Sequence, residues 1–91
     1  MRTILVTYDL NTPGQDYAKL HEYLKSLGAW WHHLDSTWLV KTTLTATGVR
    51  DGAATFLDVN DEILVIDVTN DPRAWRGFNA SGSEWLKETF S

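Results

Sequence analysis

Asp9 is the residue whose type and position best suit it to chemistry. It closes an apolar stretch, Thr3-Ile4-Leu5-Val6-Thr7-Tyr8, and a carboxylate at a strand end is a hard oxygen donor. Mg²⁺ is commonly held by one or two carboxylates with waters and substrate phosphate. A water activated by such a metal can attack a phosphodiester. A structural role competes with this one, in which Asp9 accepts the backbone amides of the Asn11-Thr12 turn. His32 and His33 are the next candidates. As neighbours on a strand they point to opposite faces, so they cannot share a metal in regular geometry. Either one alone could act as a general base, and sheet packing or exposure is the plainer expectation.

The five tryptophans are the third feature. Trp30, Trp31 and Trp38 fall in one stretch, and Trp75 and Trp85 near the end. Interleaved with His, Lys41, Arg73 and Arg76, they could stack bases while the cations meet phosphates. Trp30, Arg73 and Arg76 are the candidate nucleic-acid contacts. Core and interface packing is the competing use of such large apolar groups. The turn around Gly14 lacks the Lys-Ser/Thr of a phosphate loop.

Composition limits these readings. Eight Lys and Arg face twelve carboxylates, giving a formal charge of −4. Nucleic-acid binders tend to be basic, so broad phosphate binding is disfavoured, and a local basic patch or a metal-bridged contact is what remains. Cysteine is absent, which excludes disulfides and thiolate metal sites. No apolar run approaches the roughly 20 residues of a membrane helix. The first residues are too short an apolar run to be a signal peptide, so no membrane contact and a cytoplasmic location are expected.

The elements that must position these residues follow from periodicity. Residues 3–9 read as a strand rich in β-branched residues. Thr12, Pro13 and Gln15 have the form of a helix start, and Tyr17, Leu20, Leu24 and Leu27 share one helical face. Gly28 is a natural stop. Residues 29–33 and 36–42 predict two strands joined by a tight connection at Leu34-Asp35. Thr45 caps a second helix whose apolar face is Val49, Ala53, Phe56 and Leu57. Residues 58–61 form a turn, and 62–69 a fourth strand. Ser81 and Glu84 have capping-box spacing before Trp85, Leu86 and Phe90.

The order β-α-β-β-α-β predicts an α+β fold, a ferredoxin-like βαββαβ sandwich. A single domain over 1–91 is expected, with 70–91 as a C-terminal extension. The first and fourth strands are apolar on both faces, yet two helices cover only one face of such a sheet. The other face calls for a partner. A second copy of the chain is the simplest cover, and the tail folding back is its rival.

The residues Tyr8-Asp9-Leu10, followed by a Pro-Gly turn and a helix, resemble the start of Cas2 and of VapD-type toxins. A finer pattern is similar to small bacterial and phage proteins labelled SinR-like. It comprises Tyr8-Asp9-Leu10-Asn11, Pro13-Gly14-Gln15-Asp16-Tyr17, Trp30-Trp31-His32, Ser36-Thr37-Trp38-Leu39-Val40, Asn60-Asp61, Ala74-Trp75, Gly77-Phe78 and Trp85-Leu86-Lys87. The resemblance implies a homodimer with its sheets face to face and Asp9 meeting its copy near the axis. It further implies that the aspartate pair holds a divalent metal, Mg²⁺ or Mn²⁺, for endonuclease chemistry, or that the dimer is a nucleic-acid scaffold. Two other classes fit the acidic charge: a non-catalytic dimer binding a protein partner in a toxin-antitoxin or phage-host setting, and a small-ligand sensor.

Overall fold

The computed structural model describes residues 1–12, 14 and 16–88. The expected roles of Pro13 and Gln15 at a helix start, and of Phe90 in the tail, lie outside the described residues. In chain order the elements are β1 (Arg2–Asp9), α1 (Ala18–Ser26), β2 (Trp30–Leu34), β3 (Thr37–Thr42), α2 (Ala46–Ala54), β4 (Glu62–Asp67) and α3 (Ala80–Glu88). The strands form one antiparallel sheet in the order β2-β3-β1-β4. The molecule is therefore α+β, a ferredoxin-like βαββαβ sandwich with a third helix after it. Among the described residues, no helix is long and apolar enough to cross a membrane.

Alternation along β1 divides the molecule into two layers. Ile4, Val6 and Tyr8 point towards α1 and α2. With Leu20, Leu24, Trp38, Val40, Val49 and Ala53 they form the main core, and all nine are buried. Burial of each large aliphatic side chain contributes about 1.5–3 kcal/mol. In α2, Thr45 accepts the Gly48 amide at 3.1 Å, the N-cap its sequence predicts. Val49 and Ala53 are buried, and Phe56 and Leu57 pack at the margin.

Helix α1 starts later than expected. Its first residue is Ala18 and its N-cap is Tyr17, with no side-chain cap. Gly14 has φ +80, a left-handed conformation that no right-handed helix can run through. Asp16 Oδ1 accepts the Ala18 amide at 2.9 Å. The predicted helical face holds, with Leu20 and Leu24 buried and Tyr17 and Leu27 half-buried. Gly28 ends the helix at φ +150. A side chain there would run into the Lys41 carbonyl, so close approach of the two backbones requires glycine. The tight connection between β2 and β3 falls at Asp35-Ser36, one residue later than the pattern suggests, and β2 carries an irregularity between Trp31 and Leu34.

The other face of the sheet carries Leu5, Thr7 and Asp9 of β1. Its register aligns Trp31, Leu39, Leu5 and Ile66 in one row across the four strands, and Leu34, Thr37, Thr7 and Leu64 in the next. The tail covers one end of these rows. It is anchored where Thr69 Oγ1 accepts the Thr3 amide at 2.9 Å and donates to Asp67 Oδ1 at 2.6 Å. Asn70 then reverses the chain at φ 64, a conformation asparagine tolerates. Trp31, Leu39 and Leu86 become buried there, joined by Leu5, Val68, Trp75, Phe78 and Trp85. Of the two covers expected, the tail thus supplies one over the β2–β3 side. The β4 side stays open, with Leu64 55% and Ile66 43% exposed.

The cap of α3 differs from the sequence reading. Asn79 Oδ1 accepts the Gly82 amide at 2.9 Å and the Ser81 hydroxyl at 3.0 Å. Ser81 lies inside the helix and serves the cap. Asparagine two residues earlier is an equally good N-cap. Its placement lets Gly82 sit against the His33 ring and accept Trp31 Nε1–H at 3.1 Å on its carbonyl.

Candidate functional site

Asp9 is the last residue of β1 and is exposed. Its register partner on β4 is Glu62, so the two carboxylates stand side by side at the open end of the uncovered face. Together with Thr7, Tyr8, Ile63 and Leu64 they line an open hollow of about 450 Å³. Among the described residues, neither carboxylate takes part in a hydrogen bond or ion pair. The structural task that competed for Asp9 falls to another residue. Asp61 Oδ1 accepts the Asn11 amide at 2.8 Å and the Tyr17 hydroxyl at 2.7 Å, and its Oδ2 accepts the Asp58 amide at 2.7 Å. Partial burial would push the Asp61 carboxyl up, but the hydrogen bonds from Asp58, Tyr17 and Asn11 outweigh that and hold it below the usual carboxylate range.

Two neighbouring carboxylates suit a hard cation, because Mg²⁺ and Mn²⁺ prefer oxygen ligands and take one or two carboxylates with water and phosphate. Among the described residues, no group of three or more His, Asp or Glu converges on one point. The candidate donor set is therefore Asp9 and Glu62, and Glu62 enters through strand register, which sequence spacing does not reveal.

The candidate nucleic-acid contacts divide between the two faces. Trp30 lies on the α1 side, its ring 5.5 Å from that of Trp38 and beneath the Lys25 ammonium at 5.0 Å. Arg73 and Arg76 lie on the tail side, where they border a cleft with Trp31, Trp75 and Phe78. Strand alternation makes Trp31, and not Trp30, the aromatic neighbour of the arginines. Arg73 is held in place, with Nε donating to the Leu86 carbonyl at 2.7 Å and Nη1 reaching the Asp71 carbonyl at 3.4 Å.

The histidines separate as alternation predicts. His32 stacks on Trp38 on the α1 side, with ring centroids 3.9 Å apart and planes 14° from parallel. His33 meets Trp31 and Phe78 on the tail side. A third histidine, His21, joins the first group, with its ring 5.7 Å from that of His32. Trp38 Nε1–H donates to the Tyr8 hydroxyl at 2.9 Å, and that hydroxyl lies 3.1 Å from His21 Nε2. The Tyr8 hydroxyl thus bridges Trp38 Nε1 and His21 Nε2. Burial, then His32 and Lys25, push the His21 pKa down. Burial pushes the Tyr8 phenol up, partly offset by the Trp38 hydrogen bond. This chain pairs polar groups at the margin of the core, and Tyr8 is only 7% exposed. Its sequence signal was helical spacing, since His21 follows Tyr17 by four and precedes Leu24 by three.

No family model matches the chain, and neither a curated protein nor a solved structure is significantly similar to it.

Proposed function

We propose that the protein is a nucleic-acid-associated homodimer of Cas2-like design, in which Asp9, with Glu62 beside it, holds a divalent cation against a phosphodiester. The observation that carries this reading is the division of labour between two aspartates. Asp61 accepts the turn amide that Asp9 could have taken, leaving the Asp9 carboxylate without a partner among the described residues and beside a second carboxylate. When bound, Mg²⁺ or Mn²⁺ would supply a polarised phosphate oxygen and an activated water. The chain's own part is to hold two oxygen donors on a rigid sheet end and to leave the hollow in front of them open. The cation also reconciles a net charge of −4 with a polyanionic partner, because it screens the acidic rim at the point of contact.

The homodimer reading is supported by Leu64 and Ile66, adjacent on the uncovered side of β4 and both more than two-fifths exposed. The same apolar strip, with the acidic charge, favours a second reading, a non-catalytic module that docks a protein partner. One set of proteins separates the two. Wild type and Asp9→Asn are assayed for cleavage of single- and double-stranded RNA and DNA with and without Mn²⁺, alongside thermal melts and light scattering. The catalytic reading expects Mn²⁺-dependent cleavage that Asp9→Asn abolishes, at unchanged or higher stability, because one of two like charges is removed. Absence of cleavage by wild type, with a dimer still present, leaves the docking module.

A further inference from the structure

The two edges of the sheet are built differently. β2 forms one edge and β4 the other. β2 breaks register between Trp31 and Leu34, and an irregularity of that kind blunts an edge against further pairing. β4 pairs regularly from Glu62 to Asp67, contains neither proline nor lysine, and carries its two charges at its ends. Its pairing with β1 fixes which of its groups face outward. The Val68 amide donates to the Thr3 carbonyl at 2.9 Å, and Leu5, Thr7 and Asp9 continue that row opposite Ile66, Leu64 and Glu62. Backbone polar groups alternate in direction along a strand, so the amides and carbonyls of Ile63, Val65 and Asp67 point away from β1. Among the described residues, none of these outward groups has a hydrogen-bond partner.

This edge is complementary to itself in one register. Antiparallel hydrogen-bonded pairs join two outward-facing residues and keep like faces together. A second β4 turned about a two-fold axis at Val65 meets that condition at three places. Val65 stands opposite the partner's Val65, and Ile63 and Asp67 stand opposite the partner's Asp67 and the partner's Ile63. A shift of register by two residues leaves only two such pairs. On the uncovered face the same register sets Leu64 and Ile66, both exposed, against the partner's Ile66 and the partner's Leu64, as apolar cross-strand pairs. Glu62 falls opposite the partner's Val68, so no carboxylate directly opposes another. On the helix face, a hollow of about 230 Å³ between Ala46, Thr47 and Arg50 of α2 and residues 63–65 leaves room for the side chains of an incoming strand.

We propose that the protein dimerises by pairing β4 with the β4 of a second copy, giving one continuous sheet of eight strands, four from each copy. The assembly closes at two copies, because the edges that remain are the irregular β2 strands. The inference rests on the homodimer reading above, and departs from the face-to-face stacking that the Cas2 resemblance implies. Each copy keeps its own Asp9–Glu62 pair, roughly 25 Å from the other across three strand spacings and a six-residue offset.

Cysteine is absent from the chain, so single introduced thiols report contacts without background. Leu64→Cys and Ile66→Cys, at exposed positions, are oxidised each alone and as an equilibrated equal mixture, with Asp9→Cys as a third variant. Light scattering of the wild type gives the number of copies. The expected result is a dimer in which the mixture forms the 64–66 disulfide at least about tenfold faster than either variant links to itself. Directly opposed residues at such a position lie about 4.5 Å apart at Cα. Each residue stands about 7–8 Å from its own copy, beyond the reach of a disulfide. Asp9→Cys should not cross-link. A dimer whose Asp9→Cys variant does cross-link would put the sheets face to face, overturning the edge pairing while keeping the homodimer. A dimer in which the mixed disulfide has no advantage would do the same. A wild-type monomer up to the highest soluble concentration would overturn edge pairing and homodimer together. The Asp9→Asn cleavage assay tests the catalytic reading separately, and its outcome does not bear on β4.

Discussion

The Tyr17 hydroxyl donates to the Asp61 carboxylate at 2.7 Å, joining the start of α1 to the start of β4 across 44 residues. The same carboxylate accepts two backbone amides, so one side chain closes the turn after β1, the turn before β4 and the entry to α1. A carboxylate held below its usual value near 3.8 contributes stability that is complete above that unfolded value. The contribution is lost as pH falls through the lower folded value. Asp61→Asn should therefore lower the melting temperature at pH 7, and the gap from wild type should close as pH falls below about 4. Tyr17→Phe, which removes one of three donors, should cost less. A gap that stays constant down to pH 2 would show that Asp61 acts through shape and not through its charge.

His21 sets a second pH window with the same sign. Its folded pKa is lowered from the ordinary 6.5, so the unfolded chain takes up the proton first. Stability should be full above about 6.5 and decline as pH falls towards the folded value, then level off. His21→Gln keeps a hydrogen-bonding partner for Tyr8 and removes the titration. Urea denaturation between pH 5 and 8 should show a flatter profile for the variant, and an unchanged slope would assign the dependence to other groups.

The cap of α3 offers a local check on the structure. Asn79→Ala removes the acceptor of the Gly82 amide and should cost about 1 kcal/mol, the usual value for a lost N-cap. Ser81→Ala, which the capping-box spacing would rank as the more damaging, should change stability by no more than about 0.5 kcal/mol. The reverse order in chemical denaturation would place the cap at Ser81 after all.

Truncation after Thr69 tests the tail as part of the fold. It uncovers Trp31 and Leu39, both 5% exposed or less, and removes Leu86, Trp75 and Phe78 from above them. The shortened chain should melt at a lower temperature or aggregate. A still-soluble product with an unchanged melt would make the tail a separate appendage.

What the sequence disclosed follows from how local each signal is. Strand alternation in Ile4, Val6 and Tyr8, the Val49–Ala53 face and the Thr45 cap rest on neighbours a few residues apart, and all appear in the structure. The start of α1 was obscured because Gly14 adopts a conformation its spacing cannot reveal. Asn79 is the less visible cap because Ser81 and Glu84 present the stronger local pattern. The hub at Asp61 and the pairing of Asp9 with Glu62 need residues about 50 positions apart to meet, and only sheet register brings them together. Composition groups Trp30 with the arginines, and the two-residue period of β2 sends it to the opposite face.

One consequence of the sheet order concerns synthesis. β1 is made before its neighbours and ends between two of them, β3 and β4. As a ribosome extends the chain, the first edge of β1 waits for residues 37–42 and the second for residues 62–67. Until then a strand reading Ile-Leu-Val has unpaired backbone on at least one side, in the kind of nascent species that associates with others of its kind. The interval before β4 emerges is the stage at which a holding chaperone, or slower translation around α2, would most affect the yield of folded protein.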